Sequence, residues 1–270
     1  WMLREGWRLR DTREVVGQLM RLLATLPGAL FGWVPAGNTG RARVSALRPM
    51  PMPAEALKAI HLELLARNNL VEGGIYLQVT RGAVDRDFAF PKAPIPQTVV
   101  MFTQAKAIRD SAAAKTGIAV ITLPDIRWKR RDIKSVALLA QVLAKQAAAA
   151  AGAGEAWMVE DGLVTEGGSS NAWIVTKDGR IVTRQVSNAI LAGCTRKSVI
   201  RLAELSQLKI EERPFTVEEA KGAAEAFVTS ASAFVTPVVS IDGAPIGEGK
   251  PGPVAARLRQ IYLDHAVADA

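Results

Sequence analysis

Cysteine and histidine are almost absent from this chain, and each shortage removes a class of chemistry. Cys194 is the one cysteine in 270 residues, which excludes an internal disulfide framework and makes a reducing compartment, the cytoplasm, the natural setting. The two histidines, His61 and His265, are far apart in sequence and have no ligand-like neighbours, so no metal centre is expected. No run approaches the roughly 18 apolar residues of a membrane span. Acidic residues are missing altogether from Val15 to Ala54, where every base is an arginine. Within that stretch Leu22 to Val34 is apolar, but Pro27 and Gly28 interrupt it and argue against a secretory signal.

What is present is ordinary globular composition, 49% hydrophobic and 22% charged. The net charge of +8 is unevenly spread. Residues 1–53 hold eight arginines against three acids, whereas the rest of the chain is nearly balanced, without a basic stripe interleaved with aromatics. Nucleic acid is therefore not an expected partner, and neither is a membrane.

From Pro53 onward helix and strand patterns alternate. Apolar spacing predicts a helix over 54–68, and β-branched runs predict strands near 74–80, 97–103 and 117–123. A linker is expected within 103–116. A helix over 135–151 follows, then short strands near 155–160, 162–166, 172–177 and 180–184. A helix over 195–207, strands near 208–213, 225–230 and 235–241, and a closing helix over 251–268 complete an α+β pattern with few βαβ units.

Lys134, in Arg-Asp-Ile-Lys-Ser, stands out among the lysines. Walled by apolar neighbours (Trp128, Ile133, Val136, Leu138), an ammonium loses hydration and becomes able to attack a carbonyl and form a Schiff base. The plainer reading, a helix-start lysine with its tip in water, is the one this segment favours by itself. Glu166 opens the turn-rich Glu-Gly-Gly-Ser-Ser-Asn stretch, where a carboxylate could hold a protonated ring nitrogen or could be a solvated loop acid. Thr195 lies near the expected N-cap of a helix, a seat for phosphate or simply a cap. Thr229-Ser230-Ala231-Ser232 offers hydroxyls and backbone donors in a second loop. Lysine, carboxylate and two phosphate-type loops together are the parts that pyridoxal phosphate requires.

Several segments, in this order, resemble the fold-type IV pyridoxal-phosphate aminotransferases, and in particular the bacterial D-amino acid aminotransferases. They are Tyr76-Leu-Gln-Val-Thr-Arg-Gly, Asp125-Ile-Arg-Trp, Asp132-Ile-Lys-Ser, Leu143-Ala-Lys-Gln, Val164-Thr-Glu-Gly and Ser170-Asn, followed by Ile190-Leu, Gly193, Thr195-Arg, Phe227-Val-Thr-Ser and Thr236-Pro-Val-Val. The likeness covers roughly residues 53–265.

The resemblance implies two domains: a small N-terminal α/β domain and a larger C-terminal domain with a barrel-like β core. Residues 1–52 would be an atypical N-terminal segment, 53–106 the remainder of the small domain and 107–270 the large cofactor-binding domain. It implies that Lys134 carries pyridoxal phosphate and moves the substrate proton, and that Glu166 pairs with the pyridine nitrogen. Leu191 would pack against the ring. Thr195, with the backbone around Cys194 and with Ser230 and Ala231, would take the phosphate. The implied reaction exchanges an amino group between D-alanine or D-glutamate and a 2-oxo acid, in a homodimer. Branched-chain aminotransferase and aminodeoxychorismate lyase share the fold and are the alternatives, as is a cofactor-binding protein without activity. For the substrate carboxylate the family has an arginine followed two residues later by histidine; here the stretch reads Arg86-Asp-Phe88, and Phe88 cannot donate a hydrogen bond. The family's Gly-Asp-Gly-Val-Tyr-type strand and its later phosphate-binding arginine have no recognisable counterpart before Pro53.

Overall fold

The computed structural model describes residues 52–85 and 87–268. The atypical N-terminal segment and the expected substrate-binding Arg86 lie outside the described residues. By contacts the chain divides into two units, 1–108 with 269–270, and 109–268.

In the first unit, α1 (Ala54–Arg67) buries Leu57, His61 and Leu65, which fall at the spacing of one helical face. His61 Nδ1 lies 2.7 Å from the Leu57 carbonyl. Strands β1 (Gly73–Thr80) and β2 (Thr98–Ala105) pair antiparallel, with Tyr76 opposite Phe102 and their rings stacked at 4.8 Å. The connector between the strands leaves Phe88 almost wholly exposed, at 91%.

The second unit is built on a nine-stranded sheet. Its elements are α2 (Ala112–Thr116), β3 (Ile118–Pro124), α3 (Leu139–Ala150), β4 (Glu155–Glu160), β5 (Leu163–Gly167), β6 (Asn171–Val175), β7 (Ile181–Thr183), α4 (Cys194–Leu205), β8 (Ile210–Glu212), α5 (Val217–Lys221), β9 (Glu225–Ser230), β10 (Phe234–Ile241), β11 (Ala244–Pro245) and α6 (Pro253–Ala268). The strand order is β5-β4-β3-β10-β9-β6-β7-β8, with β11 paired to β10. Three of the pairings, β3 with β4, β3 with β10 and β7 with β8, are parallel. The sheet curls so that its outer strand β5 meets the segment following the opposite edge, where Leu163 bridges Thr216 and Val164 N donates to Phe215 O.

Local chemistry explains the tight corners. The β4–β5 and β10–β11 hairpins each turn on Asp-Gly, with φ of 54° and 75° at Asp161-Gly162 and 50° and 79° at Asp242-Gly243. Two consecutive positive φ values match the turn that best suits twisted antiparallel strands, and Asp-Gly tolerates them. Three apolar clusters lie against the sheet, the smallest joining Ala144 and Ala148 of α3 to Ala156 and Met158 of β4. One centres on Trp157, Ile174, Phe215 and Ile241. Another centres on Trp173, Phe227 and Val235, with Val199 of α4 and Leu258 of α6 packed onto it.

Two expectations need correction. The helix expected from Ser135 begins at Leu139, because Ser135 Oγ accepts from Ala137 N and Leu138 N donates to Val136 O, which diverts the chain from helical pairing. Within 103–116, where a linker is expected, β2 runs to Ala105, the two units divide between 108 and 109, and α2 begins at Ala112, capped by Ser111 Oγ accepting from Ala114 N. The N-cap of α4 is Gly193, not Thr195.

Candidate active site

Glu166 sits on β5 with 4% of its surface exposed, so it is not a solvated loop acid. Its carboxylate accepts from three donors of the surrounding segments. Oε1 lies 2.5 Å from Arg127 Nη1, while Oε2 accepts from Asn171 Nδ2 and from the Leu191 backbone N–H, both at 3.0 Å. Burial pushes the Glu166 carboxyl up to about 7, against the pull of Arg127 and the Leu191 N–H. The side chain is thus poised near neutrality to hold or give up a proton.

The surrounding residues fix that carboxyl in place. Arg127 forms a two-pronged pair with Asp125, Nε to Oδ1 at 3.0 Å and Nη2 to Oδ2 at 2.7 Å. Burial alone would raise Asp125, but its bonds from Arg127 and Thr165 outweigh that and hold it below the usual carboxylate range. Arg131 approaches the same Asp125 at 3.4 Å and is bound by Glu160, to which Lys129 also bonds. On the other side, Glu155 is buried and its Oε2 accepts from the Ser169 and Ser170 hydroxyls. Those bonds set the turn between β5 and β6, and the turn presents Asn171 to Glu166.

Asn171 also donates to Leu191 O at 2.9 Å. Its Oδ1 would lie 2.3 Å from any Cβ placed on Gly193, so a larger residue there would push the amide away from Glu166 and Leu191. The loop from Asn188 to Gly193 is thereby delivered to the start of α4. Cys194 is the first residue of that helix and is partly exposed. Thr195 follows with 2% exposure, and its Oγ1 is buried without a hydrogen-bond partner. A buried hydroxyl left orphaned beside free helix-start N–H groups is a site lacking an acceptor, which a phosphate would supply. Ser230 ends β9 and its Oγ accepts from Ala233 N at 3.1 Å; Ala231 is exposed in the turn that follows. In the sheet Thr229 is directly opposite Asn171.

Lys134 lies in the irregular segment before α3 and is exposed, with no hydrogen bond or ion pair among the described residues. Only Ile133 of its apolar neighbours is buried; Val136 and Leu138 face outward. The apolar wall expected around Lys134 is therefore absent from its own segment. That segment is instead tied to the site at Arg131, whose N–H donates to Asn188 O at 3.0 Å.

Glu166, Leu191, Cys194 and Thr195 thus form one connected constellation. Ser230 and Ala231 sit at the end of the neighbouring strand, Lys134 is exposed on its anchored segment, and Phe88 belongs to the first unit. Sequence reasoning assigned no role to Arg127, Asn171 or Asp125. All three lay within segments that carried the family likeness, which was the available signal.

The sequence pattern of the class IV aminotransferases matches residues 39–241, and that of a protein family of unknown function, DUF3703, matches residues 1–60. A D-alanine aminotransferase of Staphylococcus haemolyticus is 44% identical over 206 residues, covering 76% of this chain and 72% of the relative. Among solved structures, the branched-chain amino acid aminotransferase of Escherichia coli superposes with a TM-score of 0.73 at 22% identity, covering 96% of this chain and 80% of the other, a likeness of fold. The branched-chain amino acid aminotransferase of Thermobaculum terrenum in its PLP form gives 0.68 at 22% identity, covering 100% and 83%, again a likeness of fold.

Proposed function

This chain belongs to the class IV aminotransferases, and we propose that it exchanges an amino group between a D-amino acid, of the D-alanine or D-glutamate type, and a 2-oxo acid such as pyruvate or 2-oxoglutarate. The observation that carries the proposal is Glu166: a buried acid, surrounded by donors and poised near neutrality, in a chain closely similar to a D-alanine aminotransferase. The residues suit pyridoxal phosphate at both ends, with an acid for a ring nitrogen and an orphaned hydroxyl at a helix start for a phosphate. When bound, that cofactor supplies an electron sink for the substrate α-carbon and carries the amino group between two half-reactions.

The chain's own residues would do the rest. Lys134 would hold the cofactor through its exposed ε-amine and, once the substrate amine has displaced that link, would be the base that takes the α-proton. Glu166 holds a proton against the ring nitrogen, while Arg127 and Asn171 stop the carboxyl from turning away. Thr195, the N–H groups at the start of α4, and the Ser230–Ala231 turn take the phosphate. Leu191 packs against the ring and Arg86 pairs with the substrate carboxylate, with Phe88 beside it.

Absorbance tests the reading. Purified protein loaded with pyridoxal phosphate is expected to show the visible band of lysine-bound cofactor, to lose it on adding D-alanine, and to regain it with 2-oxoglutarate. Bleaching by L-leucine instead, or repeated turnover of aminodeoxychorismate to pyruvate without a 2-oxo acid partner, would transfer the assignment to a branched-chain aminotransferase or a lyase. A band that no amine affects would indicate a cofactor-binding protein without activity.

The same reading includes a cytoplasmic homodimer, with residues 53–106 completing a small domain and 107–270 forming the large one. Residues of the 136–143 segment support a second copy as partner. Leu139, Val142 and Leu143 share one face of α3 and are 73%, 56% and 52% exposed, with Val136 and Leu138 exposed just before them. A patch of this kind in contact with water is unfavourable unless covered. Light scattering is expected to give twice the 28.9 kDa of the chain, and Leu139→Lys to shift the protein toward monomer. A Leu139→Lys protein that stays fully dimeric would place the interface elsewhere.

A further inference from the structure

The last helix, α6, reaches both loops assigned above to the phosphate. Arg259 is buried, and its Nη1 donates to Ala233 O at 2.8 Å and to Val235 O at 2.7 Å. Between those carbonyls lies Phe234, whose φ of 56° is costly for a bulky aromatic residue and persists only where its surroundings impose it. The Arg259 guanidinium also lies 5.5 Å from the Phe234 ring centroid. Thr236 Oγ1 adds a bond to Ala233 O, and Ala233 N closes the turn onto Ser230 Oγ. The turn beside Ser230 and Ala231 is therefore held in a strained shape by a cation from α6.

One helical turn further on, Tyr262 stacks on the same Phe234, with ring centroids 5.2 Å apart. Its phenol lies near the Thr195 side chain in the first turn of α4, whose Oγ1 has no well-formed hydrogen bond. Burial, reinforced by the Cys194 thiol, pushes the phenol up to about 12, so Tyr262 keeps its proton as a donor at any working pH.

We propose that Arg259 and Tyr262 are positioning residues of the phosphate seat, Arg259 by clamping the Ser230–Phe234 turn and Tyr262 by aligning the Thr195 hydroxyl at the start of α4. The proposal rests on the cofactor reading above, and its effect is specific to the phosphate group. Neither residue is placed against the ring or the amine.

The test compares pyridoxal phosphate, pyridoxal and inorganic phosphate binding to cofactor-free protein by calorimetry and fluorescence, with circular dichroism confirming the fold of each variant. Wild-type protein is expected to bind pyridoxal phosphate roughly a hundredfold or more tightly than pyridoxal, the difference that a few charge-assisted hydrogen bonds supply. Tyr262→Phe keeps the stacking and removes only the hydroxyl; it is expected to weaken pyridoxal phosphate and inorganic phosphate about five- to tenfold and to leave pyridoxal within about twofold. Arg259→Lys loses the planar guanidinium against Phe234 and the Nη2 bond to Arg109 O, and is expected to cost the phosphate ligands more. If both variants weaken all three ligands alike, or keep the wild-type preference, the positioning role is overturned. If wild type itself binds pyridoxal and pyridoxal phosphate equally, the cofactor reading fails instead.

Discussion

Lys134→Ala is expected to reduce turnover at least ~10⁴-fold, the upper range for removal of a positioned acid–base group, and here the covalent anchor is lost as well. The cofactor should still bind, since Glu166 and the α4 start are untouched, but it should dialyse away without any added amine. Its visible band should resemble that of free pyridoxal phosphate, because no ε-nitrogen remains to attach it. Two measurements, turnover with D-alanine and band position before and after dialysis, separate this result from simple misfolding. Lys134 is exposed on an irregular segment and supports no packing, so the variant should unfold at the wild-type temperature. Activity retained in this variant would remove Lys134 from the mechanism.

The second large effect concerns Glu166. Glu166→Gln keeps the shape of the side chain and an acceptor for the Leu191 N–H, but it cannot hold the charge that stabilises a protonated ring nitrogen. Turnover is expected to fall about a hundred- to thousandfold, the usual scale for loss of one preorganised electrostatic partner, while the lysine-bound band remains. Stability should move with pH in the cofactor-free protein. The folded carboxyl titrates at about 7 against an ordinary 4.5, so the folded state binds the proton more tightly than the unfolded one. The stabilisation from that proton is fully present below pH 4.5 and is lost as pH rises through 7, by up to roughly 3 kcal/mol at about 1.4 kcal/mol per unit. Denaturant unfolding at about pH 5 and pH 8, on either side of that transition, should show wild-type protein losing stability over this interval and Glu166→Gln losing less. Equal pH slopes in the two proteins would contradict the burial-driven shift.

Much of the fold was legible in the sequence because most strands carry their own signal. Glu155–Glu160, Asn171–Val175 and Glu225–Ser230 begin and end within about two residues of the β-branched and aromatic runs that mark them. Errors arose where a side chain outcompeted the backbone pattern. The Ser135 hydroxyl delays a helix whose apolar spacing begins earlier, and α4 starts from Gly193, packed against the Asn171 amide, rather than from Thr195. The candidate site was legible as a set of separate residues, through family likeness. Its wiring was not. Arg127 meets Glu166 across 39 positions and Arg259 meets Val235 across 24, and nothing local in either stretch announces the partner.

The strand order has a consequence for how the molecule is made. β3 pairs with β10 through Ile118 and Val238, partners separated by more than a hundred residues, and β9 and β10 lie between the two groups of earlier strands. A growing chain that has produced β3 to β8 therefore holds two sheet fragments with exposed edges and no centre. Such topologies fold slowly, because the loop must close before the pairing rewards it. Arg259 and Tyr262 emerge later still. The two phosphate loops can thus come into register only after α6 has emerged, and until then nascent chains are open to edge-to-edge association.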